Sequence, residues 1–155
     1  MTEPYFKTYF SPGNECRKAI CQEIKQADQS IDICVFTISD NIITHAILDA
    51  FHAGIDIRIL TDNDKVNDRG SDIHFLAQKG LDIKIDHTRH HMHHKFAVFD
   101  NASVLTGSYN WTRSAADFNQ ENIIISNHQD AVQQFSSEFQ RLWRLMEPFK
   151  HHFSA

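Results

Sequence analysis

Between residues 30 and 85 the chain repeats one pattern: a β-rich run, a helical stretch, a glycine, then another β-rich run. Residues 30–38 form the first run, with Ile31, Ile33 and Val35 alternating against Asp32 and Cys34. Asp40 or Asn41 can cap the helix that follows, whose apolar face carries Ile43, Ile47, Ala50 and Phe51, and Gly54 suits its end. Residues 55–60 read as the next strand. Residues 71–79 read as a short helix stopped by Gly80, and Leu81, Ile83 and Ile85 alternate as a further strand. Such repetition is the mark of crossover units and constrains the fold to an α/β class.

The flanks complete the picture. Residues 5–10 read as a short strand ended by Ser11-Pro12-Gly13, and Cys16, Ile20, Ile24 and Ala27 recur at helical spacing. Residues 95–100 and 103–106 are two strands joined at Asp100-Asn101, which predicts an antiparallel hairpin. Residues 121–126 form another strand. Val132, Phe135, Phe139, Leu142 or Trp143, and Met146 mark one face of a long final helix. The expectation is one domain over residues 1–155: a mixed, largely parallel β-sheet flanked by helices on both faces. The chain has 155 residues, enough for one core and too few for two.

Composition then narrows the function. The formal net charge of −5 argues against a chain coated in basic residues for nucleic acid. Yet residues 84–95 read Lys-Ile-Asp-His-Thr-Arg-His-His-Met-His-His-Lys, with three fixed positive charges, one negative charge and five histidines. An anion would be drawn to that stretch of an otherwise acidic molecule. Cys16, Cys21 and Cys34 are an odd set and read as buried thiols. No spacing of histidines and cysteines supports a zinc site. Neither a secretory leader nor an apolar run of membrane-spanning length is visible, so the expected location is cytoplasmic, without stable membrane association.

Strand geometry places His93, Lys95, Ala97 and Phe99 on one face, and His94, Phe96, Val98 and Asp100 on the other. An imidazole can attack phosphorus or carry a proton near neutral pH, and an ammonium beside it can neutralise phosphate oxygens. Gly107 lets the backbone approach a ligand closely, and Ser108 and Asn110 offer neutral donors. Glu121 is the candidate carboxylate for orienting the nucleophilic ring. Asp100 falls on the opposite face at a turn and, with Gly107, is expected to support the motif structurally. His94, Tyr109, Trp111 and Arg113 are candidate substrate contacts, the two aromatics by stacking on bases. Asp62, Asn63 and Asp64 are read as a turn and cap.

The spacing His93-x-Lys95-x4-Asp100-x6-Gly107-Ser108-x-Asn110 resembles the HKD motif of the phospholipase D superfamily. Six fixed residues at fixed spacing arise by chance at a given site roughly once in ten million. The likeness runs from the first strand to the last helix. In size it is most similar to the short members, the bacterial Nuc-type endonucleases and the mitochondrial cardiolipin hydrolase (Zucchini) group. The resemblance implies a metal-independent phosphodiesterase with no cofactor. It implies His93, Lys95 and Glu121 as catalytic residues, with Lys95, Ser108 and Asn110 holding phosphate. It also implies a phosphohistidine intermediate. Because the chain holds one motif where the family's site uses two, it implies a homodimer with a shared site. Without a visible anchor or zinc-binding insertion, the expected substrate is DNA or RNA. A cardiolipin-type lipid is the alternative, and a binding module without turnover comes third.

Overall fold

The computed structural model describes residues 2–150. Its elements run β1 (Phe6–Ser11), α1 (Glu15–Gln26), β2 (Ser30–Val35), α2 (Asn41–His52), β3 (Asp56–Thr61), α3 (Ile73–Gln78) and β4 (Asp82–Ile85). They continue with β5 (Lys95–Phe99), β6 (Ser103–Gly107), α4 (Arg113–Asp117), β7 (Glu121–Ser126), α5 (Gln129–Leu145) and β8 (Glu147–Pro148). The eight strands form a single sheet in the order β1-β7-β6-β5-β2-β3-β4-β8.

This α/β sheet is mixed but not largely parallel. Only β2–β3 and β3–β4 pair parallel, while β1–β7, β7–β6, β6–β5, β5–β2 and β4–β8 are antiparallel. The crossover pattern holds for three consecutive strands. The departure is β5, which lies against β2 with Val35 opposite Lys95. That long-range pairing starts an antiparallel series. The α4 turn and the two-residue β8 are also absent from the local sequence pattern.

Two apolar layers follow from the alternation along the strands. On one face Ile31, Ile33, Val35, Ala97, Leu105 and Ile123 pack beneath α1 and α2 residues such as Ile20, Ile43 and Ile47. On the other, Cys34, Leu60, Phe96, Val98 and Val104 lie beneath Val132, Phe139 and Leu142 of α5. Helices therefore cover both faces. Asp40 caps α2, its carboxylate accepting from the Ile42 amide at 3.0 Å and from Arg17 Nε at 2.7 Å. On the α5 side, Arg58 donates twice to Asp32 at 3.0 Å and once to Gln140 at 3.1 Å, and its guanidinium lies over the rings of Phe139 and Trp143. This fixes α5 against β2 and β3. The three cysteines are free thiols, Cys16 and Cys34 buried and Cys21 partly so.

The hairpin between β5 and β6 turns through Asp100 and Asn101, at φ of 58° and 51°. The Asp100 carboxylate accepts from the backbone amides of Asp28, Gln29 and Ser30, the shortest contact being 2.7 Å to Gln29. Burial pushes the Asp100 carboxyl up, but the three amides outweigh it and hold it below the usual carboxylate range. A depressed folded value means that this stabilisation is present above the ordinary aspartate range and is lost as pH falls through the folded value. Asp100→Ala removes the charged acceptor and leaves alanine in the left-handed region. It should cost about 2–3 kcal/mol, read as a shift in the urea midpoint at pH 7. The deficit relative to the unmodified chain should shrink in acid; a deficit independent of pH would contradict the carboxylate's part.

Candidate active site

The segments after β2, β3, β4 and β6, the last two leading into β5 and β7, meet at one end of the sheet. There the backbone is laced together. Phe36 N donates to His94 O at 2.9 Å, Thr37 N to Asn110 Oδ1 at 3.2 Å, and Trp111 N to Thr37 O at 3.1 Å. Ser39 N and Asp40 N both donate to Trp111 O at 2.9 Å. Asn110 thus ties the segment after β2 to the segment after β6, and its amide NH2 is the end left to meet an anion. Ser108 Oγ accepts from Asn122 N at 3.1 Å, which leaves its hydroxyl proton to donate.

His93 is exposed and Lys95 half-buried beside it. Lys95 Nζ lies 2.8 Å from His93 Nδ1 and 3.3 Å from Nε2, and donates to the His93 carbonyl at 2.7 Å. Beneath both sits Phe36, a residue the sequence pattern did not single out. Its ring centroid is 4.6 Å from that of His93 and 5.3 Å from that of His91. Lys65 Nζ and Lys95 Nζ lie 5.3 Å and 5.5 Å from the Phe36 centroid. The π face attracts the ammonium groups, and the same ring packs against the imidazole of His93 at a tilt of 50°. No local signal marks Phe36 or Lys65, since each reaches the site only through its loop.

Desolvation lowers the His93 pKa, and the charges of Lys95 and His91 lower it further, with Asp62 opposing. These influences favour the neutral ring, the form in which an imidazole is a nucleophile. Desolvation also lowers the Lys95 pKa, and the Glu121 carboxylate works against it. Glu121 thus acts on Lys95 through its charge. Among the described residues no hydrogen bond joins Glu121 to His93: the Nδ1 edge expected to face a carboxylate faces Lys95 instead. Glu121 accepts from Asn119 Nδ2 at 3.4 Å, and its amide donates to Ser11 Oγ at 3.1 Å.

The remaining candidates divide. His94 and Arg113 are exposed at this end of the molecule. Tyr109 and Trp111 are not base-stacking residues in this chain. Both are 0% exposed, because the segment that holds Asn110 in place turns them into the core beside Ala115 and Ala116. Asp62 is buried in a turn, accepting from Met92 N at 2.8 Å and Asp64 N at 3.1 Å. Among the described residues, Asp62, Asp64 and His91 are the group whose ligand atoms could meet on a cation, all lying within 4.8 Å of one another. His91 Nδ1 is 3.4 Å from Asp62.

Known proteins resemble this chain in sequence and in fold. Residues 20–143 match the family model described as cardiolipin synthase, PLD-like domain. The mitochondrial cardiolipin hydrolase of Chlamydomonas reinhardtii is 39% identical over 121 residues, 78% of this chain and 54% of that protein. The human protein of the same name is 33% identical over 141 residues, 91% of this chain and 56% of that one. The chain therefore spans little more than half the length of these relatives. Among solved structures, Nuc of Salmonella typhimurium, a phospholipase D family member, superposes with a TM-score of 0.90 at 26% identity, over 96% of this chain and 99% of that one. NucT from Helicobacter pylori shares the fold with a TM-score of 0.85 at 19% identity, over 95% of this chain and 100% of that one.

Proposed function

This chain belongs to the phospholipase D-like family, and from that premise we propose that it is a phosphodiesterase, acting as an endonuclease on DNA or RNA without a metal. The observation that carries the reading is the His93–Lys95 contact of 2.8 Å, an imidazole held against an ammonium at the open end of the sheet. At rest the ammonium occupies the ring edge. An incoming phosphate draws Lys95 Nζ onto its non-bridging oxygens and frees the imidazole. A ring nitrogen of His93 attacks phosphorus, the P–N bond forms, and the P–O bond to the leaving oxygen breaks. That oxygen takes its proton from the same histidine of a second copy. The second histidine, now neutral, removes a proton from water, which attacks phosphorus and breaks the P–N bond. The products are one alcohol and one phosphate monoester.

In this scheme Ser108 and Asn110 donate to phosphate oxygens. Glu121 keeps Lys95 charged and accepts from the imidazole once Lys95 has moved. One active centre needs two such histidines, so the working unit is a homodimer about a two-fold axis. No helix among the described residues is long and apolar enough to cross a membrane. The cytoplasmic location and the absence of stable membrane association belong to this proposal.

The name of these relatives, mitochondrial cardiolipin hydrolase, favours a second reading, hydrolysis of a cardiolipin-type lipid. The two separate in one assay: purified protein in excess chelator with labelled single-stranded DNA, duplex DNA, RNA and cardiolipin vesicles. Nucleic-acid cleavage in chelator is expected, whereas turnover of lipid alone would replace the nuclease reading with the lipid one. The pH profile should be bell-shaped. Its acid limb should fall below the ordinary imidazole value of about 6.5, since the His93 pKa is lowered, and its basic limb follows loss of the proton donor. A profile flat from about pH 5 to 9, with chemistry shown to limit the rate, would contradict paired histidines.

A further inference from the structure

A cavity of about 590 Å³ opens on the α5 side of His93, between the histidine-rich segment before β5 and the C-terminal turn of α5. Its apolar wall is Met92, Leu142, Leu145 and Met146, and its polar wall carries His87, His94 and Arg141. Leu145 is 58% exposed, although it belongs to the helix whose other apolar residues cover the sheet. His93 lines the mouth, so the cavity is continuous with the proposed reaction centre. We propose that this cavity binds the nucleotide next to the scissile phosphate, its base against Leu145 and Met146 and its phosphate towards His94 and Arg141. The inference rests on the nuclease reading and adds to it a subsite that contacts the base.

Three features favour a nucleotide over an acyl chain. The volume is that of a small-molecule site. The two walls differ in character, as do the two halves of a nucleotide: planar rings pack on flexible methionine and leucine side chains, and imidazole N–H groups can meet phosphate or base edges. An acyl chain would leave those imidazoles desolvated without partners, which is unfavourable. The groups that set the local charge are His87, His91, His94 and Arg141, opposed by Asp86 in the cavity wall and by Glu138, which pairs with Arg141.

The test uses the full chain in two forms. In the His93→Ala background, binding of a fluorescein-labelled thymidine hexamer is followed by anisotropy. In the active chain, cleavage of that hexamer is compared with cleavage of one carrying an abasic site beside the scissile phosphate. Leu145→Ala and Leu145→Glu should weaken binding, the latter by about tenfold, and should erase the preference for the base-bearing substrate. Gln22→Glu on the exposed face of α1 adds the same charge as Leu145→Glu and should change neither. Binding and preference unaltered by both Leu145 variants would overturn the proposal. So would altered binding to cardiolipin vesicles with hexamer binding unchanged, which would assign the cavity to lipid. The nuclease reading fails separately. An active-site-intact chain that cleaves no nucleic acid but binds the hexamer through Leu145 ends that reading and keeps the nucleotide site. Cleavage indifferent to Leu145 does the reverse, and no hexamer binding at all overturns the nucleotide site.

Discussion

His93→Ala will lower turnover by about 10⁴-fold or more while the far-ultraviolet spectrum and thermal midpoint stay close to those of the unmodified chain. The side chain is exposed and lies against the tilted ring of Phe36 and the Lys95 ammonium, so its loss removes little buried surface. The other imidazoles nearby are held elsewhere: the His91 ring, 6.5 Å away, has its Nδ1 3.4 Å from Asp62. Lys95 is an ammonium, and His94 lies on the strand face turned towards α5, near Phe96. Retained turnover in His93→Ala would remove the proposed nucleophile. The same variant tests the shared centre. If each centre needs the histidine of both copies, unfolding and refolding the two proteins together yields active dimers only where both copies are intact. Activity should then fall as the square of the intact fraction. A linear fall would show that each chain works alone.

Gly107→Ala should be among the most destabilising single substitutions in the described chain. A Cβ at this position would lie 2.1 Å from Asn122 O and 2.9 Å from both Asn122 C and Ile123 Cα. All three are backbone atoms of β7, so no side-chain rotation relieves the clash. The strands must part, and with them the two hydrogen bonds between Ser108 and Asn122, Ser108 N to Asn122 O and Asn122 N to Ser108 Oγ. A loss of about 3 kcal/mol or more is expected, which lowers the thermal midpoint by about 6–12 °C. Because Ser108 and Glu121 ride on the displaced segments, residual activity should fall as well. A midpoint within about 2 °C of the unmodified chain would show that β6 and β7 accommodate the methyl group at little cost.

The sequence by itself determined the local facts. A helix cap at Asp40 or Asn41, the tight turn at Asp100, the faces of the helices and the His93-Lys95 spacing all follow from dihedral preference and side-chain periodicity, which act over a few residues. What the tertiary structure alone decided is which distant segments meet. The pairing of β5 with β2 made the sheet mostly antiparallel, and it brought Phe36 beneath His93. Alternation fixes the face of a strand but not its partner, because the partner depends on contacts many residues away. The same reason explains Tyr109 and Trp111. An aromatic beside a motif looks like a ligand contact in one dimension, and only the packing of α4 against the sheet put both in the core. The cavity beside His93 likewise needs the end of α5 to arrive at the histidine-rich segment, some 50 residues earlier in the chain.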